Sequence, residues 1–293
     1  MVYLSQFTIP DRPSQEQVLS DLSHGRTCYN NFYPFRILGD WEQETLFFEP
    51  ITILYGGNGS GKTTLLNVIG EKLGLERGSV YNQSAFFGDY VNLCHFRGTG
   101  GEIPSGSAVL TSDDVFDYLL DLRSLNQGID THREELLEEY RTLRREKFQL
   151  KTMDDYGYIK KAAYAKRKNG SGSGYVRREV GGNLRSQSNG ESAYRYFTEK
   201  IQEGCLYLLD EPENSLSAQY QQELAQFLQD SARFYRCQFI LSTHSPFLLA
   251  MPGAVIYDMD RAPVVRKSWT QLEAVRRYFD FFQSHRKEFE NGR

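Results

Sequence analysis

The glycine-rich run at residues 56–61 is the feature of this sequence that most directly indicates chemistry. The pattern G-x-x-x-x-G-K-S/T is matched by Gly56-Gly57-Asn58-Gly59-Ser60-Gly61-Lys62-Thr63-Thr64. Glycines permit positive φ and a close backbone approach, so successive N–H groups can point into one concavity. Lys62 would bridge the β- and γ-phosphates of a nucleotide, and Thr63 would offer its hydroxyl to Mg²⁺. The run therefore predicts a loop that binds a nucleoside triphosphate.

Two adjacent carboxylates follow an apolar run later in the chain. Leu206–Leu209 predicts a buried strand, and Asp210 and Glu211 come directly after it. Ligands of open α/β sheets bind at the carboxyl ends of the strands. We expect Asp210 to hold Mg²⁺, directly or through water, and Glu211 to polarise the attacking water as general base. An Asp-Glu pair alone is more often a solvated turn, but a phosphate loop in the same chain favours the metal-and-base interpretation.

A third motif, Ser188-Asn189-Gly190-Glu191-Ser192, precedes a predicted helix over Glu191–Ile201. Ser188 and Glu191 have the spacing of a capping box, which is a complete structural explanation of the pattern. The functional alternative uses the same geometry. A helix N-terminus that carries a serine hydroxyl and glycine N–H groups would bind a γ-phosphate.

The hydrophobic pattern predicts the elements that must position these motifs. Ile51–Tyr55 is an apolar, β-branched run that ends at the glycines, so it predicts a buried strand, and Lys62–Leu73 predicts a helix. A further strand is predicted over Gln238–Ser242, and a further helix over Ser217–Leu228. Strands that alternate with helices predict an α/β fold whose largely parallel sheet is covered on both faces.

The N-terminal region and residues 131–190 also contain patterns that predict local structure. Phe35–Leu38 and Thr45–Phe48 are short extended runs, which predict an edge β region near the N-terminus. Thr131–Leu150 predicts an exposed helix that begins with a Thr131–Glu134 capping box. Residues 166–190 are basic and rich in Gly and Ser, which predicts a mobile loop.

Composition and charge exclude several classes. The net charge of −4 excludes a polycationic protein that binds nucleic acid over its whole surface. Four isolated cysteines indicate neither zinc nor a redox dithiol and suit a reducing compartment. The first residues lack a basic, apolar leader, and the apolar stretch Cys237–Tyr257 is interrupted by polar residues, so we expect a cytoplasmic protein without a membrane span.

Positive charge is concentrated at residues 141–185, which hold thirteen Lys or Arg and four Asp or Glu. Tyrosines are interleaved with these basic residues and could stack on bases. The segment is therefore a candidate for binding DNA or RNA phosphates. The alternative interpretation is a solvated arm whose charges meet the acidic stretch 113–139, or one that meets an acidic protein partner.

The order of the motifs resembles that of an ABC-class ATPase. The chain has a phosphate loop, a helical insertion, the Ser188 motif, the Asp210-Glu211 pair, and then Leu241-Ser242-Thr243-His244-Ser245. It is similar to stand-alone members of the group that includes the SMC, Rad50, RecF and OLD-type ATPases, and to small bacterial ATPases with a Ser-x-Gly-Glu-Ser signature. The resemblance covers residues 35–67 and 184–290 and is weak across 76–183.

The resemblance implies an α/β P-loop NTPase fold with a mixed sheet, an N-terminal antiparallel β region and a helical insertion lobe. It implies one ABC-type ATPase domain over residues 1–293, with 113–187 as a helical, partly basic insertion. ATP and Mg²⁺ would be the cofactors. Two subunits would form a homodimer in the ATP state, with Ser188 and Gly190 acting on ATP held by the other subunit's Lys62.

Two further segments receive roles from the resemblance. Residues 213–217 would be the D-loop that crosses the subunit interface, and His244 would sense the γ-phosphate. A lone His after a strand is more often structural, but its Ser-Thr-His-Ser-Pro context favours the sensor role. The residue of the Q-loop, which lies near Mg²⁺ in such enzymes, stays open among Gln83, Asp113 and Asp114.

Several functions remain open at this point. The first is an ATP-driven dimerisation switch linked to nucleic-acid metabolism or phage defence, with a separately encoded effector. An alternative is the nucleotide-binding subunit of a transporter, although the usual Leu-Ser-Gly-Gly-Gln signature is replaced here by Gln187-Ser188-Asn189-Gly190-Glu191. A regulatory ATPase that acts on a protein partner is another. For a self-contained OLD-like nuclease, the residues after Pro246 are expected to be too few for the added domain.

Overall fold

The computed structural model describes residues 1–25, 28–29, 31–38, 45–145, 161, 165, 171–179 and 188–291. The chain divides into two compact units, one formed by Met1–Phe116 with Asn189–Arg293 and the other by Asp117–Ser188. The insertion predicted over 113–187 overlaps the second unit. Its status as an insertion within a single ATPase domain stays a prediction.

A mixed sheet of seven strands, counted over the described residues, forms the centre of the first unit. Across the sheet the strands are β10 (Val265–Lys267), β9 (Val255–Asp258), β3 (Ile51–Tyr55), β8 (Gln238–Ser242), β7 (Leu206–Asp210), β6 (Ala108–Thr111) and β4 (Glu76–Arg77). Every neighbouring pair is parallel except β9 with β10. The predicted α/β fold with a mixed, largely parallel sheet is confirmed.

A second, antiparallel sheet of three strands pairs β1 (Leu4–Thr8) with β2 (Thr45–Phe47) and with β5 (His95–Gly98). The predicted N-terminal antiparallel region is therefore confirmed. The extended run predicted at Phe35–Leu38 is wrong, because these residues form a turn. Arg36 has a positive φ of 68° there, and the turn directs Phe35 and Leu38 into the core.

Helices surround the large sheet and continue into the second unit. In chain order they are α1 (Arg12–Gly25), α2 (Lys62–Leu73), α3 (Phe87–Leu93), α4 (Ser112–Arg145), α5 (Gly172–Glu179), α6 (Asn189–Lys200), α7 (Ala218–Phe234), α8 (Pro246–Leu249), α9 (Glu273–Ser284) and α10 (Arg286–Asn291). On α2, the predicted apolar positions Leu65, Leu66 and Ile69 are fully buried in the main core. This burial fixes the helix that begins at the phosphate loop.

The helix predicted to begin at Thr131 begins much earlier. Helix α4 runs from Ser112, so Thr131 lies in its interior and its Oγ1 donates to the carbonyl of Gln127 (3.0 Å) instead of capping a helix. The helix starts where Asp114 accepts the N–H of Thr111 at 2.7 Å. Residues 146–150 of the predicted helix lie outside the described residues.

The loop predicted over 166–190 is wrong in part. Residues 172–179 form α5, and Tyr175 and Val176 are buried with Leu136, Tyr140 and Leu143 in a small core of the second unit. These apolar side chains outweigh the loop signal of the surrounding Gly and Ser. Residues 166–170 and 180–187 lie outside the described part, as does most of the basic segment.

No described helix contains an apolar stretch long enough to span a lipid bilayer.

Candidate nucleotide site

The phosphate loop joins β3 to α2 and surrounds a cavity. Gly59 (φ 84°) and Gly61 (φ 91°) are in the left-handed region that favours glycine. Gly61 caps α2 without any side-chain hydrogen bond, so the first N–H groups of the helix are open to an anion. A side chain at Gly56 would lie 2.5 Å from Ser60 Oγ, which explains the glycine there.

The cavity has a volume of about 270 Å³ and is lined by Ile37, Asn58, Gly59, Gly61, Lys62, Thr63, Thr64 and Glu211. Most of these residues belong to the predicted phosphate loop. Of the Asp210-Glu211 pair, Glu211 lines the cavity together with them. The structure therefore brings the loop and the predicted general base to the same cavity, although they are far apart in sequence.

Lys62 is buried and folded back on its own loop. Its Nζ donates to the carbonyl of Gly56 at 2.7 Å and to that of Gly57 at 3.0 Å. Burial lowers the pKa of the Lys62 ammonium, and the nearby carboxylates, Glu211 first, oppose that shift. Within the described part of the chain, two carbonyls are the acceptors of this buried ammonium. It is well suited to a phosphate oxygen, since a charged acceptor binds it more strongly than a neutral one.

The predicted metal ligands lie beside each other. Thr63 Oγ1 donates to Asp210 Oδ1 at 3.1 Å, and Ser242 Oγ donates to the same oxygen at 2.5 Å. Asp210 is paired in register with Ser242 at the carboxyl ends of β7 and β8. A hydroxyl and a carboxylate beside a phosphate loop are the hard oxygen donors that Mg²⁺ prefers, so the residues present fit this ion.

Burial raises the pKa of Asp210, and Glu211 adds to the shift, while the hydrogen bonds from Ser242 and Thr63 oppose it. A raised pKa means that the folded protein holds the proton more tightly than the unfolded chain does. The ionised form therefore weakens folding at every pH above the raised pKa. This cost disappears as the pH falls below the ordinary aspartate value of 3.8.

Asp210→Asn should accordingly stabilise the nucleotide-free protein by about 2–4 °C in Tm at pH 8. The gain should shrink steadily as the pH falls toward 4, because the wild-type carboxyl then becomes neutral as well. Thermal unfolding at a series of pH values measures it, with the exposed Asp280→Asn as the matched control. A gain that is the same at all pH values, or that Asp280→Asn also shows, would contradict this account of Asp210.

Glu211 has an unusual backbone for a non-glycine residue, with φ 47° and ψ 54°. Its N–H donates to the carbonyl of Ser242 at 3.1 Å, which holds the turn. Such a left-handed residue costs on the order of 1–3 kcal/mol and persists where the surrounding structure fixes it. The turn carries the Glu211 side chain from the end of the strand into the cavity lining.

The Glu211 carboxylate has two polar neighbours. Asn214 Nδ2 donates to its Oε2 at 2.9 Å, and His244 Nε2 lies 3.7 Å from its Oε1. His244 Nε2 is buried and makes no hydrogen bond with the described residues. The histidine ring also contacts the ring of Tyr55, the residue before the phosphate loop, at a centroid distance of 6.3 Å. The two predicted catalytic residues are thus adjacent, with a ring nitrogen left for another acceptor or donor.

Glu213, predicted to be part of an interface-crossing loop, is a buried residue here. Its Oε1 accepts the backbone N–H groups of His244 (2.6 Å) and Ser245 (3.2 Å), while its Oε2 is buried and has no hydrogen-bond partner among the residues that the structure describes. Burial raises the pKa of this carboxyl. Glu213 therefore ties the turn after Glu211 to the backbone of the predicted sensor.

The signature residues begin α6 and have a different position. Gly190 packs closely on the ring of Tyr220, where an added Cβ would lie 3.2 Å from Cδ2. Among the described residues of the first unit, neither Gly190 nor Glu191 lines the phosphate-loop cavity. Ser188 is exposed and directly precedes the helix. Whether these residues contact a nucleotide stays a prediction.

The Q-loop candidates differ in their surroundings. Thr111, at the end of β6, is in register with Asp210, so the residues after it leave the sheet beside the acid pair. Of these, Asp114 is buried and holds the start of α4 through Thr111, and Asp113 is exposed. Gln83 is exposed in the connection between β4 and α3.

Sequence reasoning missed Asp260. Its Oδ1 accepts the N–H of Gly57 at 2.5 Å, so a carboxylate contacts the phosphate loop from the side of β9. No local pattern could have identified it, because the contact depends on the parallel pairing of β9 with β3. Asn214 and Ser242 lie within predicted motifs, but their hydrogen bonds to the Glu211 and Asp210 carboxylates were not predicted.

Comparison with known families gives one match within the chain. Residues 184–250, which hold the signature, the acid pair and His244, match the family described as "AAA domain, putative AbiEii toxin, Type IV TA system". No curated protein sequence matches the chain.

Solved structures similar to this chain include ATPase heads and cassettes. The Smc head domain of Pyrococcus furiosus, bound to the C-terminal domain of ScpA, is 13% identical with a TM-score of 0.44, over 98% of this chain and 100% of that one. A nucleotide-free ATP-binding cassette from an ABC transporter is 12% identical with a TM-score of 0.43, over 96% of both chains. A dimeric bacterial ABC transporter cassette is 13% identical with a TM-score of 0.37, over 78% and 90%.

The mixed, largely parallel sheet, the phosphate loop between β3 and α2 and the acid pair at the end of β7 define an α/β fold of the P-loop NTPase kind. The segment that holds the signature and the acid pair, residues 184–250, is similar to the AAA, AbiEii-like family.

Proposed function

We propose that this protein binds and hydrolyses ATP with Mg²⁺, and that ATP joins two copies of the chain which hydrolysis then releases. The observation that carries the proposal is the convergence of Lys62, Thr63 and Glu211 on one cavity, with Asp210 and His244 in contact with that set. These are the groups that phosphoryl transfer to water requires.

The residues would divide the work as follows. Lys62 would exchange its two carbonyl acceptors for phosphate oxygens, and the open N–H groups at the start of α2 would hold the same phosphates. Thr63 and Asp210 would hold Mg²⁺, which would neutralise charge on the phosphates when bound. Glu211 would take a proton from the attacking water, and Asn214 would keep its carboxylate oriented. His244 would use Nε2, which makes no hydrogen bond with the described residues, on the γ-phosphate.

The proposal of a homodimer depends on the signature. Gly190 and Glu191 line none of the cavity in their own chain, yet they begin a helix whose N-terminus favours an anion. A second subunit would present Ser188 and Gly190 to the nucleotide held by the first. The energy available to such a switch is the difference in ATP affinity between the closed dimer and the separate subunits.

Mixing two inactive variants tests this arrangement. Lys62→Ala should abolish binding in its own phosphate loop, and Ser188→Arg should spoil the motif offered to a partner. In a mixed dimer, the intact loop of the Ser188→Arg chain meets the intact signature of the Lys62→Ala chain. We expect each variant alone to be inactive. In an equal mixture about half of the dimers contain one copy of each variant and have one intact site, so the mixture should recover up to about a quarter of the wild-type ATPase activity.

Steady-state ATPase assays over a series of mixing ratios give the readout. Activity in the mixture that equals the sum of the separate variants would reject an active site shared between subunits. A mixture of Lys62→Ala with Glu211→Gln is the control: Lys62 and Glu211 line the same cavity of one chain, so no mixed dimer has an intact site and this mixture should stay inactive.

The switch would act in the cytoplasm in nucleic-acid metabolism or phage defence, with a separately encoded effector and with DNA or RNA bound through residues 141–185. Support comes from the excess of basic residues in that segment, which lies mostly outside the described residues. Counterion release makes such binding strongly salt-dependent. We expect DNA or RNA to stimulate ATP hydrolysis at low salt and to lose this effect as salt rises. No stimulation and no salt-dependent binding would remove nucleic acid from the proposal.

A further inference from the structure

The C-terminal helices α9 and α10 expose an unusual number of aromatic rings. The rings with exposed fractions of 49–64% are those of Tyr278, Phe279, Phe281, Phe282 and Phe289. A scattered exposed apolar residue needs no explanation, but a contiguous patch commonly marks an interaction surface. Phe282 contacts both Phe281 and Phe289, with ring centroids 5.6 and 6.1 Å apart. Tyr278 and Phe279 lie four and three residues before Phe282 on the same helix, which places them on neighbouring positions of its surface.

Among the described residues, the helix that carries most of these rings is anchored only at its beginning. Leu272 and Val275 are buried, and the N–H of Ala274 donates to Tyr55 Oη at 3.2 Å. Val275 is the one buried residue of α9. The first turn of α9 is therefore held against the rest of the first unit. The aromatic side chains come after this turn, and the described residues of the chain do not cover them.

The charges of this segment cancel. Residues 273–291 contain four basic and four acidic side chains. Two of the basic residues are paired within the segment, Arg277 with Glu273 at 2.5 Å and Arg286 with Glu290 at 2.7 Å. Nucleic acids and anionic membranes are bound by an excess of positive charge, which this face lacks. A neutral aromatic face is matched by another neutral aromatic face.

The exposed area is sufficient for such a pair. A buried aromatic side chain covers about 150–250 Å², so five half-exposed rings offer roughly 500 Å² for each chain. Two copies would bury about 1,000 Å² in a symmetric contact, which is the size of a weak, reversible interface. A two-fold contact uses the same patch on both partners and therefore needs no second complementary surface.

We propose that the aromatic face formed by Tyr278, Phe279, Phe281, Phe282 and Phe289 binds the same face of a second copy of this chain without nucleotide. This contact is separate from the ATP-dependent dimer proposed above, since it uses neither the phosphate loop nor the signature. Together the two contacts would join ATP-bound pairs into larger assemblies.

Sedimentation of the nucleotide-free protein over a range of concentrations tests the proposal. We expect a monomer–dimer equilibrium that persists in Lys62→Ala, which separates it from the failure of any ATP-dependent step. The Phe281→Ser, Phe282→Ser double variant should weaken this dimer by about 100-fold or more, because each lost contact counts twice in a symmetric pair. Phe234→Ser, at a 63% exposed phenylalanine outside the face, is the matched control and should leave the equilibrium unchanged.

Disulfide cross-linking provides a second test that does not depend on removing the aromatic face. In a Cys28→Ser background the remaining native cysteines are buried. Phe281→Cys should then form cross-linked dimers on mild oxidation, and Phe234→Cys should not. A wild-type protein that stays monomeric at every concentration, or equal cross-linking of the two cysteine variants, would overturn the proposal. The proposal would also be overturned if the Phe281→Ser, Phe282→Ser variant lost binding to DNA or lipid vesicles but still dimerised like the wild type.

Discussion

Glu211→Gln should reduce the rate of ATP hydrolysis by about 10²–10⁴-fold while ATP still binds. The substitution keeps an oxygen that can accept from Asn214, and it removes the group proposed to take the proton from water. The phosphate loop and the Thr63–Asp210 contact are unchanged by it. The variant should therefore stop after ATP binding and accumulate as the ATP-bound dimer.

Two measurements check this result. Single-turnover hydrolysis should show the slow chemical step. Sedimentation of Glu211→Gln combined with Phe281→Ser and Phe282→Ser, which removes the nucleotide-independent contact, should show a dimer that requires both ATP and Mg²⁺. The Lys62→Ala, Glu211→Gln double variant should show no ATP-dependent dimer, which separates nucleotide-driven association from any other contact. Wild-type turnover in Glu211→Gln would reject Glu211 as the general base, and a monomer with ATP and Mg²⁺ would count against the switch.

Lys62→Ala should weaken ATP binding by roughly 100-fold or more, since hydrogen bonds from a charged donor contribute about 1.5–3 kcal/mol each. The buried ammonium has two carbonyl acceptors and no ion pair among the described residues, so it is available to phosphate oxygens. Titration calorimetry with a slowly hydrolysed ATP analogue measures the affinity.

Lys72→Ala is the matched control for this result. Lys72 lies on the same helix, and its Nζ also donates to a backbone carbonyl, that of Val91 at 3.0 Å. It is absent from the cavity lining. We expect this variant to keep wild-type affinity for ATP. Equal losses in the two variants would indicate a general effect on α2, and unchanged affinity in Lys62→Ala would refute the phosphate-loop assignment.

The parts of the fold that the sequence predicts well are those governed by short-range patterns. The strand before the phosphate loop and the helix after it have the predicted bounds, because β-branched apolar residues, glycines and a helical apolar stripe follow one another directly. The strand Gln238–Ser242 is also as predicted, and the strand that ends in the acid pair extends one residue further, to Asp210. In these segments, local preference and tertiary packing agree.

The parts that were missed depend on contacts distant in sequence. The Asp260 carboxylate contacts the phosphate loop only because β9 lies beside β3, and Glu213 is buried only because the chain returns at His244. Thr131 and Glu134 have the spacing of a capping box, but they lie inside a long helix. The backbone N–H groups there already bond to carbonyls one turn earlier, so they need no cap. Such outcomes are set by strand order and packing, which a local pattern does not specify.

The buried carboxylate of Glu213 has a mechanical consequence for the proposed cycle. Since Glu213 holds the backbone of His244 and Ser245 by two hydrogen bonds, a neighbouring subunit that displaced the short turn at Pro212–Ser215 would pull directly on the histidine. Binding of a second subunit would thus change the position of His244 through the backbone of the first subunit, in addition to any effect through the shared nucleotide.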